Sequence, residues 1–349
     1  MPEKSLNNPP ERGATPALLV DDESFDQHRP TGYHPERPER LTAARAAASH
    51  ARAAWQRVAV REATGEQLVR VHAPAFVDGL EKLRGRKGYI DPDTYYCEQT
   101  VTAARRAAGG VVAMVEGMLS SIPVGVAMLR PPGHHARPAQ AMGFCLLNNI
   151  AVGAAHARAL GVGRVAIVDF DVHHGNGTQE MFYRDPNVLY VSLHQYPFYP
   201  GTGAANEVGT GEGTGFTVNV PLTAGGGDSV YRAAFDRIVA PVLEQYAPEL
   251  LLVSAGFDAS ARDPLAEMNA SPEGFGYMTQ RLAEQARRSA KGRLGLVLEG
   301  GYDLVALEAG LGDAMAAALE GRTFEVPSDP ESPDIERAVR EARAHWKTA

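Results

Sequence analysis

Cysteine is scarce: the 349-residue chain has only Cys97 and Cys145. Two thiols cannot build a disulfide framework, and neither has the spacing of a thiolate-rich structural zinc site. A reduced, cytoplasmic setting is the expectation. Positive charge is also in deficit. Lys and Arg number 34 against 42 Asp and Glu, a formal net charge of −8, which argues against a nucleic-acid partner gripped by a basic surface. No run reaches the ~18 apolar residues of a membrane span. The start, MPEKSLNNPPERGATP, has no basic segment followed by an apolar one, so no signal peptide is expected. Serine-nucleophile motifs of the G-x-S-x-G type are missing. The glycine-rich GTGEGTG (Gly209–Gly215) lacks a following lysine and precedes a strand pattern, so it reads as a turn and not a phosphate cradle.

What is present is periodicity. Residues 1–15 are polar and read as a loose tail; PALLVDD then reads as a short strand. A helix is expected from about Arg37 and another over 98–120. From Pro123 onward, near-continuous apolar runs (VGVAML, RVAIVDF, VLYVSLH, FTVNVPL, LLLVSAGFD, LGLVLEGGY) alternate with helical stretches near 146–160, 177–183, 227–246, 272–290 and 303–319. Such runs predict a mostly parallel sheet buried on both faces by helices, an α/β fold. At roughly 150 residues per domain the length would allow about two, but no linker divides 16–325, so one domain is expected. Residues 326–349 read as a tail ending in a surface helix.

The polar residues fall at strand ends, where parallel α/β sheets bind ligands. VGVAML leads to Arg130, His134 and His135; RVAIVDF to Asp169, Asp171 and His173; VLYVSLH to His194; LLLVSAG to Asp258; LGLVLEGG to Tyr302. In extended backbone, residues i and i+2 face the same side, so Asp171 and His173 can bite one ion while Val172 turns inward. With Asp258 they make a three-ligand set with an open position, the pattern of a catalytic zinc. The competing reading has the aspartates capping the helix near Gly175. His134 and His135 follow Pro131-Pro132-Gly133, a stiff mount. Both could be ligands, or they could handle protons, since three ligands already serve the metal and water needs a base near neutral pH. Asp169 and Asn176 are the candidates to orient their second ring nitrogens. Tyr302, behind two glycines, could stabilise an oxyanion.

Taken in order, RPPGHHA, MGFCLLNNIAVGA, VDFDVHHGNGTQ, VSLHQYPFYPGTG, NVPL, SAGFDA and LEGGYDL resemble the histone deacetylase and acetylpolyamine amidohydrolase superfamily of arginase-like zinc deacetylases. The resemblance runs from GYHPERPERL to EGGYDL and is closest to the class II-like and bacterial branch; Asn176 stands where class I members usually carry Asp. It implies Asp171, His173 and Asp258 as zinc ligands, His135 as general acid–base, His134 as its neighbour paired with Asp169, Asn176 steadying His135, and Tyr302 as the transition-state tyrosine. His174 stays outside the metal shell. Ferrous iron is the alternative metal. Phe144 and Tyr199 would wall an acyl-lysine tunnel, Tyr199 where relatives usually have Phe, and the Gly143 carbonyl would take the substrate nitrogen. Potassium is implied at Asp169, Asp171, His173, Ser192 and Leu193, and again around Phe182, Asp185, Val188 and Phe216. The expected substrates are acetylated lysine peptides or proteins, or acetylated polyamines. In polyamine-selective relatives an acidic residue follows the DP after the last ligand; RDPLAEM puts Leu265 there, which favours acyl-lysine. Asp93 would hold a peptide amide at the mouth. A homo-oligomer is compatible with the resemblance, because helical dimerisation can narrow the mouth. Two other classes compete. A ureohydrolase would bind two manganese ions and need a second carboxylate where FDAS stands. An acyl-binding module would bind without turnover.

Overall fold

The computed structural model describes residues 13–348. The expected tail over 1–15 lies mostly outside these residues, and Thr15 already belongs to the first strand. Among the described residues ten strands form: β1 (Thr15–Val20), β2 (Ala53–Arg57), β3 (Gly88–Tyr89), β4 (Tyr95–Tyr96), β5 (Val124–Ala127), β6 (Val165–Asp169), β7 (Val188–Gln195), β8 (Thr217–Leu222), β9 (Leu250–Ala255) and β10 (Leu294–Leu298). Eight make one sheet in the order β2-β1-β5-β10-β9-β6-β7-β8, every neighbouring pair parallel. β3 and β4 form a separate antiparallel hairpin. The central strands are apolar along their length because helices cover both faces; every residue of β5, β6, β7, β9 and β10 is buried.

The chain leaves β5, crosses to β6, and only later fills the gap with β9 and β10. Four adjacent strands (β5, β10, β9, β6) therefore present their carboxyl ends side by side, across a change in strand order where α/β sheets place ligands.

The covering helices are α1 (Glu39–His50), α2 (Gly65–Leu68), α3 (Pro74–Glu81), α4 (Thr100–Ser120), α5 (Asn149–Ala159), α6 (Asn176–Phe182), α7 (Asp228–Ala234), α8 (Ala240–Tyr246), α9 (Pro272–Ser289), α10 (Leu304–Met315) and α11 (Pro333–Ala342). Local chemistry starts several of them. The Asn148 side chain accepts from Ala151 N at α5, Ser271 from Gly274 N at α9, and Asp303 from Ala306 N at α10. The single helix expected over 227–246 is interrupted by a wider i→i+5 turn at Phe235–Val239. Pro241 has no N–H to continue the ordinary ladder, and the wider turn absorbs the defect.

The tail expected to end in a surface helix does carry one, α11, with one face exposed and the other packed inward. α11 buries Ile335, Ala338, Val339 and Ala342, packs on β8, and is followed by Trp346, whose indole N–H donates to Gly215 O at 2.7 Å. The spacing 335, 338, 339, 342 is an apolar stripe, so the tail joins the main core and covers the β8 side of the sheet. No helix among the described residues is long and apolar enough to cross a membrane.

Candidate active site

The site grows from the ends of those four strands. After β6, the chain bends so that Asp171 and His173 face Asp258 from the end of β9. His173 Nδ1 lies 3.3 Å from Asp171 Oδ1 and 3.2 Å from Asp258 Oδ2. One ligand atom from each of the three lies within 4.8 Å of the others. Val172, between them, is fully buried. Backbone donors fix both carboxylates: Gly300 N donates to Asp171 Oδ2 at 2.8 Å, His173 N to Asp171 Oδ1 at 3.0 Å, and Val172 N to Asp258 Oδ1 at 3.0 Å. The close approach needs glycine: a Cβ on Gly300 would overlap the Asp258 carboxylate, and one on Gly256 the Asp171 carboxylate.

The cluster fits a divalent cation. Burial opposes charge on His173, yet the two carboxylates push it up to about 10, so the point where the three side chains converge favours positive charge. One nitrogen and two oxygens, with no thiolate, leave a catalytic-type open position. The group is a three-residue one among the described residues. Where a second carboxylate ligand would stand in a two-metal site, Ser260 stands instead.

The paired histidines come from the loop after β5. His134 Nδ1 meets Asp169 Oδ2 at 3.1 Å, and Tyr190 Oη donates to the same oxygen at 3.0 Å. Burial disfavours its charge, but Asp171 and Asp169 outweigh this and push His134 up to about 10. His135 Nδ1 meets Asn176 Oδ1 at 2.9 Å. Burial, then the charges of His134 and His173, hold His135 well below its ordinary value. Carboxylates beside His134, and burial with two neighbouring positive charges around His135, thus separate a charged histidine from a neutral one.

Tyr302 is nine-tenths buried, and burial keeps its phenol well above the ordinary range, hence protonated. The Arg40 guanidinium lies 4.9 Å from its ring centroid. Phe144 meets Tyr302 edge-on at 5.7 Å, and Tyr199 meets His135 edge-on at 5.2 Å. Gly143 and Phe144 both take left-handed backbone, φ 57° and 67°. A Cβ at Gly143 would stand 2.6 Å from the His135 ring and 2.9 Å from the Tyr199 hydroxyl. For Phe144 the conformation costs of order 1–3 kcal/mol and aims its ring at Tyr302.

At the rim, Asp93 is exposed, and its carbonyl faces His34 Nε2 at 3.0 Å. Leu265 is half-buried, its N–H donating to Asp263 Oδ1 at 3.0 Å. Asp169 and Ser192 are register partners across β6 and β7, with Leu193 next in β7. Phe182, Asp185, Val188 and Phe216 surround the turn from α6 into β7 and the entry to β8.

Two strand-end residues do not join the cluster. Arg130 is buried against Glu36 and donates to Phe25 O and Tyr95 Oη. His194 Nε2 lies 2.8 Å from Gly203 O, with His174 packed against its ring. His174 itself is held by Thr202 Oγ1 and Gln179 Oε1, away from the carboxylates.

The sequence reading missed several supports. Phe198 stacks on His173 at 5.5 Å and 20°. Asp263 Oδ2 accepts from Tyr302 N at 2.6 Å. Glu299 Oε2 accepts from Gly133 N at 2.6 Å and His134 N at 3.1 Å. Glu299 sat inside LEGGYDL, and a carboxylate at the end of an otherwise apolar strand was the available signal.

The sequence model of the histone deacetylase domain matches residues 34–318. The chain belongs to the histone deacetylase family. It is 44% identical over 285 residues to Histone deacetylase 15 of Arabidopsis thaliana, covering 79% of this chain and 51% of the relative. It is 41% identical over 344 residues to the human protein named Polyamine deacetylase HDAC10, covering 90% of this chain and 50% of the relative. The chain thus spans about half the length of both relatives. A crystal structure of the HDA15 HD domain matches with a TM-score of 0.88 at 38% identity over 95% of both chains.

Proposed function

We propose that the chain is a zinc-dependent amidohydrolase that removes acetyl or other short acyl groups from the ε-amine of lysine in peptides or proteins. The observation that carries this reading is the meeting of the Asp171–His173–Asp258 set with a neutral, oriented histidine and a protonated phenol. Asp171, His173 and Asp258 would hold the metal. Bound there, zinc supplies Lewis-acid polarisation of the amide carbonyl and acidifies water; ferrous iron suits the same ligands.

The chain's own residues do the rest. His135, neutral and held by Asn176, takes the proton of the attacking water and returns it to the leaving amine. Tyr302 donates a hydrogen bond to the developing oxyanion. His134, charged beside Asp169, keeps the neighbouring ring from protonating first. Phe144 and Tyr199 pack along the methylenes of the acyl-lysine, and the Gly143 carbonyl accepts from the substrate N–H. Asp93 takes a substrate backbone amide. Asp169, Asp171, His173, Ser192 and Leu193 would hold a potassium ion, and Phe182, Asp185, Val188 and Phe216 a second, which would stiffen the segments that carry the ligands.

The apolar Leu265 beside the Tyr302 loop favours a peptidyl lysine, since a substrate with a second cation gains nothing from it. A second reading, deacetylation of polyamines, draws on the Asp91–Asp93 pair at the rim and on the likeness to the human polyamine enzyme. Acetyl-lysine peptides and acetylated putrescine or spermidine assayed side by side decide between them. Higher kcat/KM for the peptides is expected; a strong preference for the polyamine would overturn the first reading, and turnover of neither would overturn both.

A further inference from the structure

Glu299 is a fully buried carboxylate with no place in the chemistry just described. It ends β10, and its Oε2 alone receives two backbone donors, Gly133 N at 2.6 Å and His134 N at 3.1 Å. These amides belong to the turn that presents His134 and His135. The other oxygen accepts from Ser254 Oγ at 3.4 Å. The backbone of Glu299 is tied on both sides: its N–H donates to Ala255 O at 3.0 Å, and its carbonyl accepts from the Arg40 guanidinium, which also donates to Gly301 O at 2.7 Å. The next residue, Gly300, donates to Asp171 Oδ2 at 2.8 Å. Tyr302 follows two residues later.

One tetrapeptide, Glu299 to Tyr302, therefore touches every working part. Its first side chain holds the histidine turn, its second amide holds a metal-site carboxylate, and its last side chain is the phenol. We propose that Glu299 is the positioning residue of the acid–base pair, fixing the distance between the histidine turn and the metal-site strand through a single oxygen that accepts both amides. The turn is irregular, and its prolines, 131 and 132, bring no donors of their own, so without Glu299 the amides of Gly133 and His134 lose their partner and the turn its anchor. A 1 Å displacement at such a distance from the reacting atoms is enough to slow turnover about a hundredfold.

The inference rests on the proposed hydrolase reading, and the test keeps the two apart. Wild-type protein without turnover on any acyl-amine would remove that reading before Glu299 is reached. Given wild-type turnover, Glu299→Gln and Glu299→Asp are compared for kcat, KM, zinc per chain and thermal melting. Glutamine can put its amide oxygen where Oε2 stands and turn its NH2 toward Ser254. Aspartate keeps the charge and loses the reach. The expected result is kcat within about threefold of wild type for Gln and at least about tenfold lower for Asp, with KM and zinc content unchanged in both. An aspartate variant with wild-type kcat would overturn the proposal. So would a glutamine variant as slow as the aspartate one, because an acceptor with the full reach would then not be enough to position the turn. An aspartate variant that no longer folds would also overturn it, reducing Glu299 to a structural support.

Discussion

Tyr302 owes its protonated state to burial, and its part in turnover can be tested alone. Burial keeps the phenol protonated, and the Arg40 guanidinium against its ring holds the side chain in place. Tyr302→Phe preserves that packing and removes only the hydroxyl. Turnover is expected to fall about 10²–10³-fold, the usual consequence of losing one oxyanion donor, with metal content unchanged by elemental analysis. Unchanged turnover would contradict the role. At this scale the sequence was informative, because DFDVHH, PPGHH, SAGFD and EGGY each carry chemistry in their own residue types. Asp171, His173 and Asp258 were readable as one set, and they converge. What could not be read was support that arrives through the backbone or from distant segments: Phe198 under His173, Asp263 beneath Tyr302, and the left-handed Gly143–Phe144 pair. A stacking ring or a buried acceptor has no motif, since its partner is chosen by the fold.

At the scale of elements, the loop ends of β9 and β10 are packed so tightly that side-chain volume decides metal binding. Gly256 and Gly300 lie against the carboxylates of Asp171 and Asp258, with no room for a Cβ. Gly300→Ala is expected to leave the helical content by circular dichroism near wild type and to lower bound metal and turnover about tenfold or more, because the Asp258 carboxylate must move. Full metal loading in this variant would show that the contact is slack. The strands were legible from their apolar runs, since burial on both faces leaves no other pattern. β2 was not, because AAWQR is an edge strand in which every residue is at least partly exposed and no apolar alternation shows. The β3–β4 hairpin was missed for its length; two residues give no period.

At the scale of the molecule, the C-terminal helix and the buried histidines set stability. Ile335 and Val339 are fully buried where α11 meets β8. Ile335→Ala is expected to cost about 2–4 kcal/mol in denaturant unfolding; a cost near zero would show that this face of the helix adds nothing to the core. His72 is a pH liability. Its Nδ1 faces Arg137 O at 3.1 Å and its Nε2 accepts from Asn148 N at 3.0 Å, so the ring is held neutral, and burial lowers it from 6.5 to about 4. Between those values the unfolded chain binds a proton that the folded ring refuses. The contribution is full above pH 6.5 and is lost as pH falls toward 4, about 3 kcal/mol over the window. His72→Gln, able to make both hydrogen bonds without titrating, is expected to flatten that part of the melting-temperature profile, and an unaltered profile would contradict the assignment.

The central claim is that one metal ion, held by Asp171, His173 and Asp258, makes this site a hydrolase. The most direct measurement is acetate release from an acetyl-lysine peptide by chelator-stripped protein as zinc is added back. The account predicts negligible turnover without metal and recovery that saturates at one zinc per chain. Turnover that survives complete stripping, or that needs two ions per chain, would contradict it.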